Sequence, residues 1–198
     1  MPLDLNAYGI ATSNPAAWRG RPLTARGRWD TRLSVLLDNQ VAASQAGYLV
    51  FTPLALDGCD CAVLVNRGWI ALGADRQAVP AVTPIATAVT LHGSAAPPPS
   101  PGVGIDTEYA DWLAPGLLRV QRVDLAALSR RLGTRLLPLT VRLDRDAADG
   151  YLRDWTAPPN RADRHTAYAV QWFALGTLVL VVWVAVALKR RKKKPSSA

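Results

Sequence analysis

The sequence predicts a mostly β (α+β) soluble domain with one or two short helices, anchored to a membrane by a C-terminal transmembrane helix. Short apolar segments bounded by Gly and Pro recur between residues 21 and 144, residues 167–188 form an uncharged apolar run, and six consecutive basic residues follow that run. We therefore divide the chain into an extracytoplasmic β-rich domain (residues 1–164), a transmembrane helix (residues 165–188) and a basic cytoplasmic tail (residues 189–198).

The β-strands are predicted from alternating or continuous apolar segments. These segments cover residues 21–29, 34–37, 47–56, 61–71, 86–95 and 139–144. The pair Asp57-Gly58 predicts an antiparallel hairpin between the third and fourth segments. Alternation along the fourth segment assigns one face to Cys61, Val63, Val65 and Arg67, and the other to Leu64, Asn66 and Gly68.

Helices are predicted at two places in the domain. Asp124 can cap a short helix that places Leu125, Leu128 and Leu132 on one face and ends at Gly133. A second short helix is expected at residues 73–79. The proline-rich segments 95–104 and 156–164 are expected to be extended loops.

The charge distribution predicts the topology. The net charge is +8, and the basic block supplies six of these charges, which leaves 8 − 6 = +2 for the rest of the chain. A domain this close to neutral lacks a footprint for a phosphate backbone, so we expect no nucleic-acid partner. The positive-inside rule places the block in the cytoplasm and the domain on the periplasmic side. Because residues 1–30 contain no apolar run, we expect an additional upstream helix that exports the domain.

The two cysteines, Cys59 and Cys61, are too few for a disulfide framework. A copper or zinc site would need further soft ligands, and the only histidines, His92 and His165, are distant in sequence. We therefore interpret both cysteines as small core residues.

The sequence contains no recognisable catalytic motif. A Gly-rich phosphate loop, a paired metal-ligand motif and a nucleophile elbow are all absent, which favours a binding or assembly role over an enzyme. One alternative is an anchored envelope enzyme that uses the cluster Asp106, Glu108, Tyr109 and Asp111. The simpler interpretation of that cluster is a solvated surface.

Three segments in order resemble the surfeit locus protein one family of cytochrome c oxidase assembly factors. They are GYLVFTPL (residues 47–54), VLVNRGWI (residues 63–70) and HTAYAVQWFA (residues 165–174), with weaker agreement from LLDNQ (residues 36–40) and from the helix that begins at an aspartate. Gln40 differs from the Arg that many members carry at its position. The family also has an N-terminal span, which we expect upstream of residue 1.

The resemblance implies a protein of the bacterial inner (plasma) membrane, or of the mitochondrial inner membrane in a eukaryote. Its domain would face the periplasm and its tail the cytoplasm. It would assist haem A delivery or insertion into subunit one of cytochrome c oxidase, with that subunit, haem A synthase and membrane lipid as partners. A structural scaffold that holds oxidase subunits without binding a cofactor is the alternative.

On this resemblance, His165 is the candidate axial ligand of the haem iron, bound transiently. On a continuous helix, His165, Tyr168 and Trp172 form one stripe, so Tyr168 and Trp172 are candidate haem contacts, and Gln171 belongs to the same motif. Alternatively, His165 caps the helix or meets lipid headgroups, and the two aromatic residues form an interfacial belt.

The NRGW motif, Asn66 to Trp69, is the second candidate site. Arg67 could pair a haem propionate or a partner carboxylate through its planar guanidinium, with Trp69 at a contact surface. Alternatively, Asn66 and Gly68 form a turn or bulge and Trp69 packs in the core.

Overall fold

The computed structural model describes residues 2–8, 15–42, 44–73, 78–82, 88–99, 110–148, 150–155 and 162–192. The chain divides into two compact units, Met1–Trp155 and Thr156–Ala198. The first unit is the β-rich domain and the second contains one long helix.

The domain contains nine described strands and two described α-helices. The strands are β1 (Leu3–Asp4), β2 (Pro22–Trp29), β3 (Ser34–Ala42), β4 (Gln45–Leu56), β5 (Cys61–Ala71), β6 (Ala88–Ala96), β7 (Ala110–Ala114), β8 (Leu117–Val120) and β9 (Arg135–Leu143). The helices are α1 (Leu5–Tyr8) and α2 (Leu125–Leu132), and a 3₁₀ turn covers Pro15–Trp18. All six predicted strands are present, whereas β1, β7 and β8 were not predicted.

Five strands of the sheet close into a barrel. The sheet order is β1-β2-β6-β9-β5-β4-β3-β8-β7, and β2 pairs additionally with β4, which completes the ring β2-β6-β9-β5-β4. At this closure, a Cβ on Gly27 would overlap the carbonyl oxygen of Ala55, so the two backbones can meet only because residue 27 is glycine. The strands β3, β8 and β7 extend the sheet beyond β4.

The buried apolar residues form three clusters, and alternation along β5 assigns its residues to two of them. Cys61, Val63 and Val65 of β5 belong to the first core, which the barrel strands share, and Leu64 belongs to the second. The second core also contains Leu128 of α2, so it lies between the sheet and that helix. This division confirms the two faces predicted for β5 from Cys61 to Val65, whereas a register shift at Arg67 interrupts the alternation predicted beyond them.

The helix α2 begins and ends where the sequence predicts. The carboxylate of Asp124 accepts a hydrogen bond from the backbone N–H of Ala127 at 2.9 Å, and Gly133 ends the helix in the left-handed conformation with φ of 65°. This hydrogen bond holds the pKa of Asp124 below the usual aspartate value. Most of the second predicted helix, over residues 74–77, lies outside the described residues.

The hairpin turn between β4 and β5 corrects the interpretation of the cysteines. Cys61 is buried in the barrel core, as predicted, but Cys59 lies in the turn and is only partly buried. A disulfide joins the two. The spacing of two residues places them close enough to bond because the chain bends here, whereas the interpretation assumed an extended strand.

The second unit contains the helix α3 (Ala162–Lys192). Its segment Tyr168–Lys189 has 22 residues with a mean hydropathy of 2.1, and none of the side chains in its most apolar window is buried within the chain. By length and composition, this helix can cross a membrane.

Candidate functional site

The NRGW motif forms a β-bulge in β5. Val50 of β4 pairs with Gly68, but the next residue of β4, Phe51, pairs with Asn66, so Arg67 is an extra residue in the register between β5 and β4. The Asn66 side-chain oxygen accepts a hydrogen bond from the N–H of Gly68 at 3.0 Å. Bulges of this kind redirect a side chain, and here the redirected side chain is Arg67.

The segment that follows β9, around Tyr151 and Leu152, holds the bulge in place through backbone hydrogen bonds. The N–H of Tyr151 donates to the Arg67 carbonyl at 2.8 Å, and Trp69 and Leu152 exchange two backbone hydrogen bonds. Gly68 has a φ of +117°, and a Cβ there would lie 2.8 Å from the Leu152 carbonyl oxygen. Glycine is therefore required at this position both for its conformation and for the close approach of the segment.

The Arg67 side chain is buried next to two aromatic rings. It is 2% exposed, and its guanidinium carbon lies 5.8 Å from the centre of the Trp29 ring and 5.0 Å from that of Tyr151. One terminal nitrogen donates to the Thr52 hydroxyl at 3.4 Å. The two rings hold the plane of the guanidinium through cation–π contacts.

Arg67 also lines a cleft of about 410 Å³. The other polar residues of its wall are Thr31, Ser34 and Thr52, and the Ser34 and Thr52 hydroxyls lie 3.3 Å apart. Apolar residues of the segments 79–82 and 114–117 complete the wall. A guanidinium fork beside hydroxyl groups, within apolar walls, is a suitable environment for a carboxylate on an otherwise apolar molecule.

An ion pair lies next to the cleft. Arg32 donates to the Asp30 carboxylate from two nitrogens, at 2.9 and 2.6 Å. The side-chain hydrogen bond from Arg32 holds the pKa of Asp30 below its ordinary value. The charges of Asp30 and Arg32 neutralise each other. The positive charge at the wall of the cleft therefore comes from Arg67.

Trp69 connects the bulge to the LLDNQ segment of β3. Its side chain is buried, and its indole N–H donates to the Gln40 carbonyl at 3.1 Å. The Gln40 amide in turn donates to the Asp38 carbonyl at 2.9 Å, within a register shift of β3. This geometry fits the packing alternative for Trp69.

The helix α3 carries the other candidate residues, His165, Tyr168, Gln171 and Trp172. The helix is continuous across them, so positions 165, 168 and 172 share one stripe. Tyr168 and Trp172 are 61% and 72% exposed. The side chain of His165 lies outside the described part of the chain. The cleft and the stripe belong to different units, and we treat them as two sites.

Three of the residues around Arg67 were not predicted as site residues: Trp29, Thr52 and Tyr151. The sequence did contain an indication that Thr52 is a site residue, since it is a polar residue within an apolar strand and belongs to a family-like segment. The sequence contained no such indication for Trp29 and Tyr151, because their contact with Arg67 depends on barrel closure and on the segment after β9. Of the acidic cluster, Asp106, Glu108 and Tyr109 lie outside the described residues, and Asp111 of β7 pairs with Arg119 at 2.7 Å.

Fold and site together define a class of protein. The described residues form a cleft that has a buried arginine in its wall. With an apolar helix that can cross a membrane, these features are typical of a membrane-associated binding or assembly protein.

The family model described as the SURF1 family matches residues 1–177, and the chain belongs to this family. The resemblance predicted from the three segments is thereby confirmed. The family is known for cytochrome c oxidase assembly and is not an enzyme family. A comparison with curated proteins found no match.

Proposed function

We propose that this protein binds haem A and delivers it to subunit one of cytochrome c oxidase. The observation that carries the proposal is the buried Arg67 in the wall of the cleft, because haem combines an apolar macrocycle with two propionate groups. The guanidinium would pair one carboxylate, and the Ser34 and Thr52 hydroxyls would offer it further donors.

The stripe on α3 supports the same proposal. A neutral imidazole at position 165 can ligate iron, and the exposed rings of Tyr168 and Trp172 offer the flat apolar surface that a porphyrin plane needs. Bound haem would supply the iron and its visible spectrum. At the stripe, His165 would hold the iron, and Tyr168 and Trp172 would exclude water from the faces of the ring.

The proposed topology places α3 across the inner membrane, with the domain in the periplasm and the basic tail in the cytoplasm. The positive-inside rule supports this orientation. The disulfide between Cys59 and Cys61 supports it independently, because disulfides persist in oxidising compartments. Subunit one and haem A synthase, both membrane-bound partners, would then be reached within the same membrane.

The test is the visible spectrum of the full chain purified in detergent from membranes that make haem A. We expect a haem spectrum for the wild type and its loss, or a clear shift, in His165→Ala. The matched control is His92→Ala, because His92 is the only other histidine and lies exposed on β6. An unchanged spectrum and affinity in His165→Ala would remove His165 as the ligand.

The same sample separates the competing functions. Co-purification of subunit one together with haem A supports the proposal. Recovery of subunit one without haem in the wild type would instead support a structural scaffold.

A further inference from the structure

The hairpin turn between β4 and β5 holds a disulfide that has no part in the proposed haem binding. Cys59 and Cys61 are separated by one residue, so the bond closes a very short loop. The strands on either side already pair through Ala55 and Ala62, and they stay paired along most of their length. A cross-link stabilises least when its loop is short, so the fold gains little from this one.

The two sulfur atoms differ in accessibility. Cys61 is 1% exposed and belongs to the barrel core, whereas Cys59 is only partly buried in the turn. An external thiol can therefore reach the Cys59 sulfur and not that of Cys61. Catalytic dithiol pairs have the same arrangement: the exposed sulfur forms the mixed disulfide with the partner, and the buried sulfur is the one that does not react with it directly.

A cation lies beside the accessible sulfur. Arg135, the first residue of β9, donates from its terminal nitrogen to Cys59 Sγ at 4.0 Å. A neighbouring guanidinium favours the thiolate form of a cysteine. The flanking carboxylates of Asp57 and Asp60 act in the opposite direction, but both residues are exposed and their charges are screened by solvent.

We propose that Cys59 and Cys61 form a redox-active pair that exchanges electrons with a protein bearing two exposed cysteine thiols on the same side of the membrane. A thiolate of that partner attacks Cys59 Sγ, a mixed disulfide forms, the bond between Cys59 and Cys61 breaks, and Cys61 leaves as a thiolate that takes up a proton. The second thiol of the partner then attacks the partner sulfur of the mixed disulfide and releases Cys59 as a thiolate beside Arg135, where it is protonated in turn. The partner loses two electrons and two protons, and the pair gains both.

The first test is reduction in the folded state. The full chain in detergent is equilibrated with buffers of reduced and oxidised glutathione, and the exchange is stopped by alkylation. Mass spectrometry then gives the fractions of reduced and oxidised protein. We expect the disulfide to open reversibly while the circular dichroism spectrum stays native. A disulfide that glutathione opens only when the domain unfolds is structural and would overturn the proposal.

The second test assigns the attacking sulfur. Cys61→Ser leaves only Cys59, and Cys59→Ser leaves only Cys61, so each variant is treated with oxidised glutathione and its mixed disulfide is followed over time. We expect Cys61→Ser to react at least about tenfold faster, because only its thiol is accessible and favoured as thiolate. Adding Arg135→Gln to Cys61→Ser should slow the reaction.

Equal rates for the two single variants, both with native circular dichroism spectra, would contradict the assignment of roles. The double variant with serine at both positions is the blank and should form no adduct. This outcome is independent of haem binding, so failure of either proposal leaves the other standing.

Discussion

At the scale of single residues, the position of Arg67 depends on several separate parts of the fold. Arg67 is the extra residue of a bulge, its guanidinium makes cation–π contacts with Trp29 and Tyr151, and its side chain lines the cleft. A buried arginine has a large cost of desolvation, which its hydroxyl and ring contacts offset. The proposed role in binding would account for a charged residue at this buried position.

Arg67→Lys is the sharpest substitution at this position. It keeps the positive charge but loses the planar fork that stacks on rings and pairs both oxygens of a carboxylate. We expect haem affinity to fall about tenfold, which corresponds to about 1.4 kcal/mol, as measured by spectral titration. Arg142→Lys is the matched control, since Arg142 also stacks on a ring, that of Trp155 at 5.7 Å, but is exposed. Equal losses in both variants would argue against a carboxylate at Arg67.

Gly68→Ala tests the locked bulge. An Ala would have to adopt a φ of +117° and its Cβ would lie 2.8 Å from the Leu152 carbonyl oxygen, so we expect the free energy of unfolding to fall by about 2–3 kcal/mol. Gly58→Ala is the control, because Gly58 also has a positive φ of 78° but nothing within 4 Å of the added Cβ. It should cost about 1 kcal/mol. Denaturant unfolding followed by tryptophan fluorescence measures the free energy of unfolding of both variants. Similar losses in the two would mean that the close approach of the segment after β9 adds no cost at position 68.

At the scale of elements, the N-cap of α2 is an ionisable carboxylate, that of Asp124, so the stability that it provides depends on pH. The hydrogen bond from Ala127 lowers the pKa of Asp124 in the folded state. The ionised carboxylate therefore stabilises the fold above the ordinary aspartate pKa, and this stabilisation is lost as the pH falls through the lowered folded value. Asp124→Ala should reduce the free energy of unfolding at neutral pH by about 1 kcal/mol.

Asp124→Asn separates the cap from its charge. The amide oxygen can still accept the hydrogen bond, so stability at neutral pH should change less than in the Ala variant, and the part of the acid-induced loss that comes from this carboxylate should disappear. Unfolding curves recorded from pH 7 to pH 3 compare the three proteins. An acid-induced loss in Asp124→Asn equal to that of the wild type would show that this carboxylate does not contribute.

The helix α3 is the element that would anchor the protein in the proposed topology. Leu180 lies near the middle of the apolar segment Tyr168–Lys189. A charge at the centre of a span costs about 3 kcal/mol, so Leu180→Arg should move much of the protein into the supernatant of an alkaline extraction, whereas Leu180→Ala should remain in the pellet. Full retention of the Arg variant would mean that α3 is not the anchor.

At the scale of the whole molecule, the sequence predicted what depends on local pattern. The strand β5 appears over the predicted residues, and its two faces separate Val63 from Leu64 as alternation requires. The cap at Asp124 was predicted because a cap is a local signal. The family-like motifs also led to Arg67 before any geometry was known.

Features that depend on distant contacts were not predicted. Barrel closure rests on the approach of Gly27 to Ala55, which no periodicity reveals. The strand β8 has only four residues, and β7 is a half-buried edge strand, so neither has a clear pattern. The choice between a turn and a bulge at Arg67 depended on the register with β4, and the disulfide depended on the bend of the hairpin.

The central claim, delivery of haem A to subunit one, is tested most directly by the haem A content of the oxidase itself. Oxidase is purified from cells that lack the protein and from the same cells supplied with the wild-type chain, His165→Ala or His92→Ala, and haem A is measured per subunit one by absorbance. We predict low haem A without the protein and with His165→Ala, and restored haem A with the wild type and His92→Ala. Subunit one with a full complement of haem A in cells that lack the protein would contradict the account.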